Sequence, residues 1–303
     1  MDYLLHILIM VGIYSIVAMS LNLLAGYTGL ISVAHAAFYG IGAYTTALLA
    51  LKVGLPFWIN IPAGILVSGA VAFLIAWPSL KTYDDYFVIT TFAFQIIIFS
   101  IMNNWVSFTG GPLGLPGIPQ PTIFGITISS HLFFLSFVVA FGILTYMFLT
   151  RLVNSSFGRV LKAIREDEIF TMSMGKDVMK YKVSVFVIGA AIASVGGSIY
   201  AYYISFIDPT SFTIMESIFM LSIVIIGGAG SLRGSIVGAA LLISIPEILR
   251  FIGMPNSIAA NMRQIFYGGL LVFFMMFRPQ GLLGEFAFGK SGQKESKEAR
   301  KNA

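Results

Sequence analysis

YLLHILIMVGIYSIVAMSLNLLAGYTGLISVAHAAFYGIGAYTTALLAL, residues 3–51, runs for 49 positions without an Asp, Glu, Lys or Arg. A further 28 uncharged residues separate Lys52 from Lys81, and 65 more run from Tyr86 to Thr150. Over all 303 residues, hydrophobic side chains make up 57 % and charged ones 10 %, against about 25 % charge in a soluble domain. That is too little charge to cover a water-solvated globule of this size. High hydrophobicity excludes a disordered chain, and the absence of cysteine excludes a disulfide scaffold. What remains is a polytopic membrane protein.

A spanning helix needs about 20 apolar residues. The three uncharged runs therefore hold two spans, one span and two spans, with breaks at Gly26–Thr28 and in the Gly/Pro-rich stretch Thr109–Pro121. Further spans read at 183–204, 216–231, 234–250 and 259–277, for about nine in all, within a range of eight to ten. Lipid offers the backbone no hydrogen-bond partners, so each span is a helix or part of a closed barrel. Barrel strands alternate apolar and polar residues, whereas Leu132-Phe133-Phe134-Leu135 and Val224-Ile225-Ile226 run together. The expected fold is all-α, a membrane helical bundle forming one domain over 1–303.

Of the 18 Lys and Arg, seven lie in 151–182 and six in 278–303. Cytoplasmic segments carry the Lys/Arg excess, which places both there, with 285–303 as a flexible cytoplasmic tail. Counting back five spans puts the N-terminus outside, whereas a re-entrant 26–42 would put it inside. The first twenty residues lack the basic n-region and small-residue site of a cleaved signal peptide. The net charge of +5 comes from the cytoplasmic segments and implies no nucleic-acid partner. The expected setting is the cell (inner) membrane, crossed many times.

Residues 284–291, from Gly284 to Gly289-Lys290-Ser291, match the phosphate-loop pattern G-x-x-x-x-G-K-[ST]. That loop works between a buried strand and a helix. Here a membrane span and Arg278-Pro279-Gln280-Gly281 lead in, and twelve residues follow, so the match is refused. His6, His35 and His131 lack metal-ligand spacing. No catalytic cluster, metal site or cofactor is expected in this chain.

Coupled carriers bury ionisable groups near mid-membrane. The first five spans carry none, and Asp208, Glu216 and Glu247 read as lying near span ends. Any driving energy is then expected from another subunit. Small residues recur every four positions at Gly189, Ala193, Gly197 and Ala201, and again at Gly230, Gly234 and Gly238, the pattern of close helix packing in membranes. Gly227-Gly228-Ala229-Gly230 is expected to break a helix. Intramembrane polarity is densest from Asn22 to Tyr44, where Asn22, Thr28, Ser32 and His35 form a candidate translocation path. Ser32 and His35, three apart, are expected on one helix face. The same four read equally well as interhelical hydrogen-bonding groups.

Residues 151–182 form the one long polar stretch inside the chain. After Arg159, Ile164, Arg165 and Glu166, an acidic run precedes Ile169, Phe170, Met172 and Met174, with Gly175 placed as a left-handed helix end. A short helix with apolar knobs suits a groove on another protein. It also suits packing against this chain's own helix ends or the lipid interface.

Six stretches together carry a resemblance. The first is 20–32 (Ser20 to Ser32), continued by His35 to Tyr44, and next come Tyr86 to Thr91 and Thr109-Gly110-Gly111-Pro112. The remaining three are Gly158 to Glu166, Gly227 to Gly234 and Arg278-Pro279-Gln280-Gly281. Over about residues 15–284 the chain resembles an integral-membrane permease subunit of ABC importers for branched-chain amino acids. The resemblance implies a type II ABC importer-like permease forming half of a translocation pathway. It implies a second, related permease subunit, two cytoplasmic ATPase subunits that bind ATP and Mg, and an extracytoplasmic substrate-binding protein. The loop from Arg159 to Gly175 would then be the coupling element. Ile169-Phe170-Thr171 stands where the general importer signature has Glu-Ala-Ala, so the match there is by position. Relatives also include transporters of urea and short amides, and an ATP-independent channel or facilitator is the competing class.

Overall fold

The first long apolar run folds as two helices. In the computed structural model, which describes residues 2–80, 84–123, 126–127, 130–251, 268–274, 276–278 and 280–284, α1 (Asp2–Thr28) stops before Gly29, whose φ of +79° is left-handed. A left-handed glycine is a common helix stop because it carries no Cβ to clash. Residues 29–34 are irregular, and α2 (His35–Leu48) then starts and continues as a π turn, Leu49–Val53. Ser32 therefore lies outside the helix that His35 opens, which corrects the expectation that the two share a helix face.

Next come α3 (Phe57–Ser79), α4 (Asp84–Asn104) and the short α5 (Val106–Thr109). Beyond α5, β1 (Leu115–Pro116) pairs antiparallel with β4 (Phe206–Ile207), and β2 (Thr122–Ile123) with β3 (Ile126–Thr127). Then follow α6 (His131–Asn154), α7 (Ser156–Glu166), α8 (Glu168–Ser173), α9 (Val178–Ile204), α10 (Ile214–Gly227) and α11 (Leu232–Phe251).

Among the described residues six helices are long and apolar enough to cross a membrane: α1, 35–53, α3, 86–104, α6 and α9. The pair α10 and α11, bent by 118°, raises this to seven if counted as one span. The spans expected at 216–231 and 234–250 correspond to these two helices, which pass the length and hydropathy test only as a pair, a broken span or a re-entrant loop. At about 1.5 Å per residue, the 14 residues of α10 reach about 21 Å, short of a hydrocarbon core of about 30 Å. Much of the span expected at 259–277, and the tail 285–303, lie outside the described residues.

α2 sits at the centre, with 13 of its 14 residues buried, packed on α3, α4, α9 and α10. Its small residues allow that. A Cβ on Gly197 of α9 would stand 1.8 Å from the Tyr39 carbonyl oxygen, and one on Gly42 would stand 2.2 Å from the Ser194 carbonyl oxygen. Both clashes are with backbone, which cannot swing aside. Gly197→Ala is therefore expected to cost about 1–3 kcal/mol, the usual range for overpacking, read as a lowered thermal midpoint in detergent. Around this centre the outer faces stay apolar: Leu66 and Leu74 of α3, Ile89 and Ile97 of α4, and Phe133 and Leu144 of α6 are all exposed. A continuous apolar exterior of this kind is matched to lipid.

Candidate functional site

The helix α2 begins inside the bundle, so its first amides need partners that water cannot supply. Side chains from α4 and α10 provide them. The Ala36 N–H donates to Ser217 Oγ at 2.9 Å, and the Ala37 N–H donates to Gln95 Oε1 at 2.7 Å. Gln95 in turn donates from Nε2 to the Phe212 carbonyl at 2.8 Å. Thr91 of α4 accepts the Val33 N–H at 3.3 Å. His35 Nε2 lies 2.9 Å from Ser20 Oγ, whose own proton goes to the Val17 carbonyl at 2.7 Å. The neutral ring therefore carries its proton on Nε2, leaving Nδ1 an acceptor.

Several buried polar atoms of α2 have no hydrogen-bond partner among the described residues: His35 Nδ1, Tyr39 Oη, Tyr44 Oη and Thr46 Oγ1. Such atoms call for an explanation, since most buried polar groups are satisfied. Glu216, in the first turn of α10, accepts the Tyr14 hydroxyl. Glu216 thus stands near a span end, as expected, half-buried against Tyr14 near the middle of α1. The side chain of Glu247 lies outside the described residues.

At the other end of α1, Asn22 braces the α10–α11 turn. Its Nδ2 lies within reach of the Gly228 and Ser231 carbonyls and Ser235 Oγ, at 3.2, 2.8 and 2.7 Å, while Oδ1 accepts the Gly230 N–H at 2.8 Å. The amides of Leu282 and Leu283 cap the Ile226 and Gly227 carbonyls at 2.9 and 3.0 Å. Gly228 (φ +122°) and Gly281 (φ +70°) have no room for a side chain there.

The polar loop forms α7 and α8 beside this end. Leu161 and Ile164 of α7 are buried, while Arg165 Nη1 donates to the Gly26 carbonyl at 2.7 Å and Nη2 pairs with Glu166 at 2.9 Å. An arginine thus satisfies a carbonyl in the last turn of α1, which a helix C-terminus leaves without an internal partner. Lys162 stands 5.6 Å over the Tyr27 ring. Arg159 also lies on α7. Asp167 caps α8 by accepting the Phe170 N–H at 2.8 Å, so the acidic residue does act at a helix start. Gly175 (φ +77°) closes the end: its N–H reaches Met172 O, and that of Lys176 reaches Thr171 O, a Schellman arrangement. Glu168 and Lys182 form an ion pair at 2.5 Å that ties α8 to α9. At the start of α9, the Lys180 ammonium holds the Asp177 carboxyl below its usual range. The helix α8 then projects Ile169, Phe170, Met172 and Met174, 78, 62, 57 and 64 % exposed.

Against known proteins, residues 3–275 match the family model described as the branched-chain amino acid transport system / permease component. The chain belongs to this family. Its members are transport permease components rather than enzymes. The LivM high-affinity branched-chain amino acid permease protein of Salmonella typhimurium is 36 % identical over 297 residues, covering 90 % of this chain and 68 % of that protein. LivM of Escherichia coli is 35 % identical, covering 89 % and 68 %. The probable LivM of Methanocaldococcus jannaschii is 28 % identical, covering 94 % of each. No solved structure matches.

Within this permease chain, the residues singled out in the sequence fall into separate places. Ser32 and His35 flank the start of α2, while Thr28, at the end of α1, bonds to the Leu23 carbonyl and Asn22 to the α10–α11 turn. All four are buried. Gly189 of α9 faces the Ser20 carbonyl, and Gly234 and Gly238 of α11 face Gly227 and Ile223 of α10. Gly230 donates its amide to Asn22. Thr91, Gln95, Ser217 and Glu216 were not singled out as site residues. Gln95 did offer a signal, as the carboxamide in the interior of an otherwise apolar span.

Proposed function

We propose that this chain is a permease subunit of an ATP-driven ABC importer for branched-chain amino acids. In this reading it crosses the cell membrane eight to ten times as a type II-like permease, one domain over 1–303. A second related permease completes the pathway. Two cytoplasmic ATPases bind the ATP and Mg, and an extracytoplasmic binding protein delivers substrate. The observation that carries the reading is the exposed apolar row on α8, on a basic segment, joined through α7 and Arg165 to the carbonyl of Gly26. ATPase closure would push α8. Rigid packing of Leu161 and Ile164 would pass the motion to the break between α1 and α2, where Ser32 and His35 border the path. Asn22 and Thr28 would hold that path's walls, and the small residues of α9 and α11 its sliding surfaces.

Co-expression with candidate ATPase, second-permease and binding-protein subunits tests the assembly. Recovery of one stoichiometric complex carrying two ATPases is the expected result. A chain that purifies alone in its native membrane, and that passes leucine without them, would favour the channel class.

A further inference from the structure

Glu216 has an acceptor to spare. One oxygen takes the Tyr14 hydroxyl, and among the described residues no Lys, Arg or His lies within ion-pair distance of it. A carboxylate held between membrane helices without a cation is costly, and such groups mark substrate or ion paths. The residue is half-buried, so it is not sealed inside packed side chains.

Aromatic rings gather beside it. The Tyr39 ring lies 6.4 Å from Tyr14, 5.5 Å from Tyr200 and 5.5 Å from Phe212. Tyr39 is 1 % exposed, its hydroxyl has no hydrogen-bond partner among the described residues, and its ring neighbour Tyr14 is the residue that bonds Glu216. Ring faces attract cations, most strongly where water is excluded. An ammonium group brings three donors: a carboxylate oxygen and an unpartnered tyrosine oxygen are acceptors for it. The bland alternative is that Glu216 only offsets the positive end of α10, in whose first turn it stands.

We propose that Glu216 is the counter-charge for the α-ammonium group of the transported amino acid, which passes between it and the rings of Tyr14, Tyr39 and Tyr200. This assignment rests on the importer reading above. A neutral substrate such as urea would have no use for it.

The test uses the full complex in proteoliposomes, measuring ATP-driven leucine uptake and binding-protein-stimulated ATP hydrolysis side by side. Glu216→Gln keeps the shape and the bond from Tyr14 but loses the charge, Glu216→Asp keeps the charge, and Tyr39→Phe removes only a hydroxyl that nothing else uses. Gln is expected to lower uptake roughly tenfold to a hundredfold, and Phe roughly threefold. Asp is expected to retain several-fold more uptake than Gln, with stimulated hydrolysis persisting in all three. Wild-type uptake in Gln or in Phe overturns the assignment. So does Asp falling below Gln, the order that a purely bracing carboxyl requires. Loss of wild-type uptake when the proton gradient is collapsed overturns it in favour of a proton-carrying carboxyl. Failure of the importer reading is distinguishable, because it appears in the wild type as uptake that ignores ATP.

Discussion

Replacing Asn22 by Leu is expected to destabilise the protein by about 3–5 kcal/mol, from the loss of several buried hydrogen bonds at about 1–3 kcal/mol per group left unpaired. The size follows from what Asn22 holds. Its carboxamide is fully buried and serves the Gly228 and Ser231 carbonyls, Ser235 Oγ and the Gly230 N–H. Leu has the same branched shape with four heavy atoms but more bulk, so the change removes bonds and opens no cavity, and overpacking adds to the cost. The stranded groups sit in a glycine turn where α10 and α11 approach too closely for added side chains, with a Gly227 Cβ only 2.2 Å from the Gly234 carbonyl. No repacking can cover them. The check is thermal or denaturant unfolding in detergent, with Ser235→Ala as the graded control, expected to cost about 1 kcal/mol. An Asn22→Leu protein as stable as wild type would mean that the turn is held by the 280–284 segment alone.

The second large effect is expected on α8. Ile169→Asp with Phe170→Asp places two charges where the structure offers two exposed apolar side chains. Buried aromatic and aliphatic anchors at interface centres are worth about 2 kcal/mol each. If α8 is the docking element proposed above, losing both is expected to weaken ATPase docking by a factor of roughly a thousand. Fold stability should hold, because neither side chain is buried and the cap at Asp167 and the ion pair to Lys182 are untouched. The expected phenotype is therefore a folded permease that no longer retains ATPase subunits through purification and no longer drives uptake. Full retention would leave α8 as a segment lying on lipid.

The parts of this arrangement that sequence reveals are those written locally. Charge scarcity and the clustering of Lys and Arg give the class and the basic segments directly. The four-residue spacing of Gly189 and Gly197 marks a packing stripe because helical geometry repeats at nearly that period. Asp167 and Gly175 are legible as helix boundaries for the same local reason. The partner of Glu216 is not. Its place near a span end is legible, but the Tyr14 hydroxyl that it accepts lies 202 positions away in α1. Ser32 is misplaced because 29–34 is as apolar as a helix, and one left-handed glycine ends α1 ahead of it. The partnership of Gln95 and Ser217 with the first amides of α2 joins residues 58 and 181 positions apart. No periodicity announces such a contact. The role of Asn22 is hidden likewise, since its partners lie more than 200 residues away.

In the proposed importer reading, transport through this chain is driven from outside it. Leucine accumulation in proteoliposomes holding the complete complex and the binding protein tests it most directly. Hydrolysable ATP is expected to support accumulation above the external concentration, and a non-hydrolysable analogue is expected to support none. Equilibrating leucine flux through this chain alone, at the same rate with or without ATP, would contradict the account.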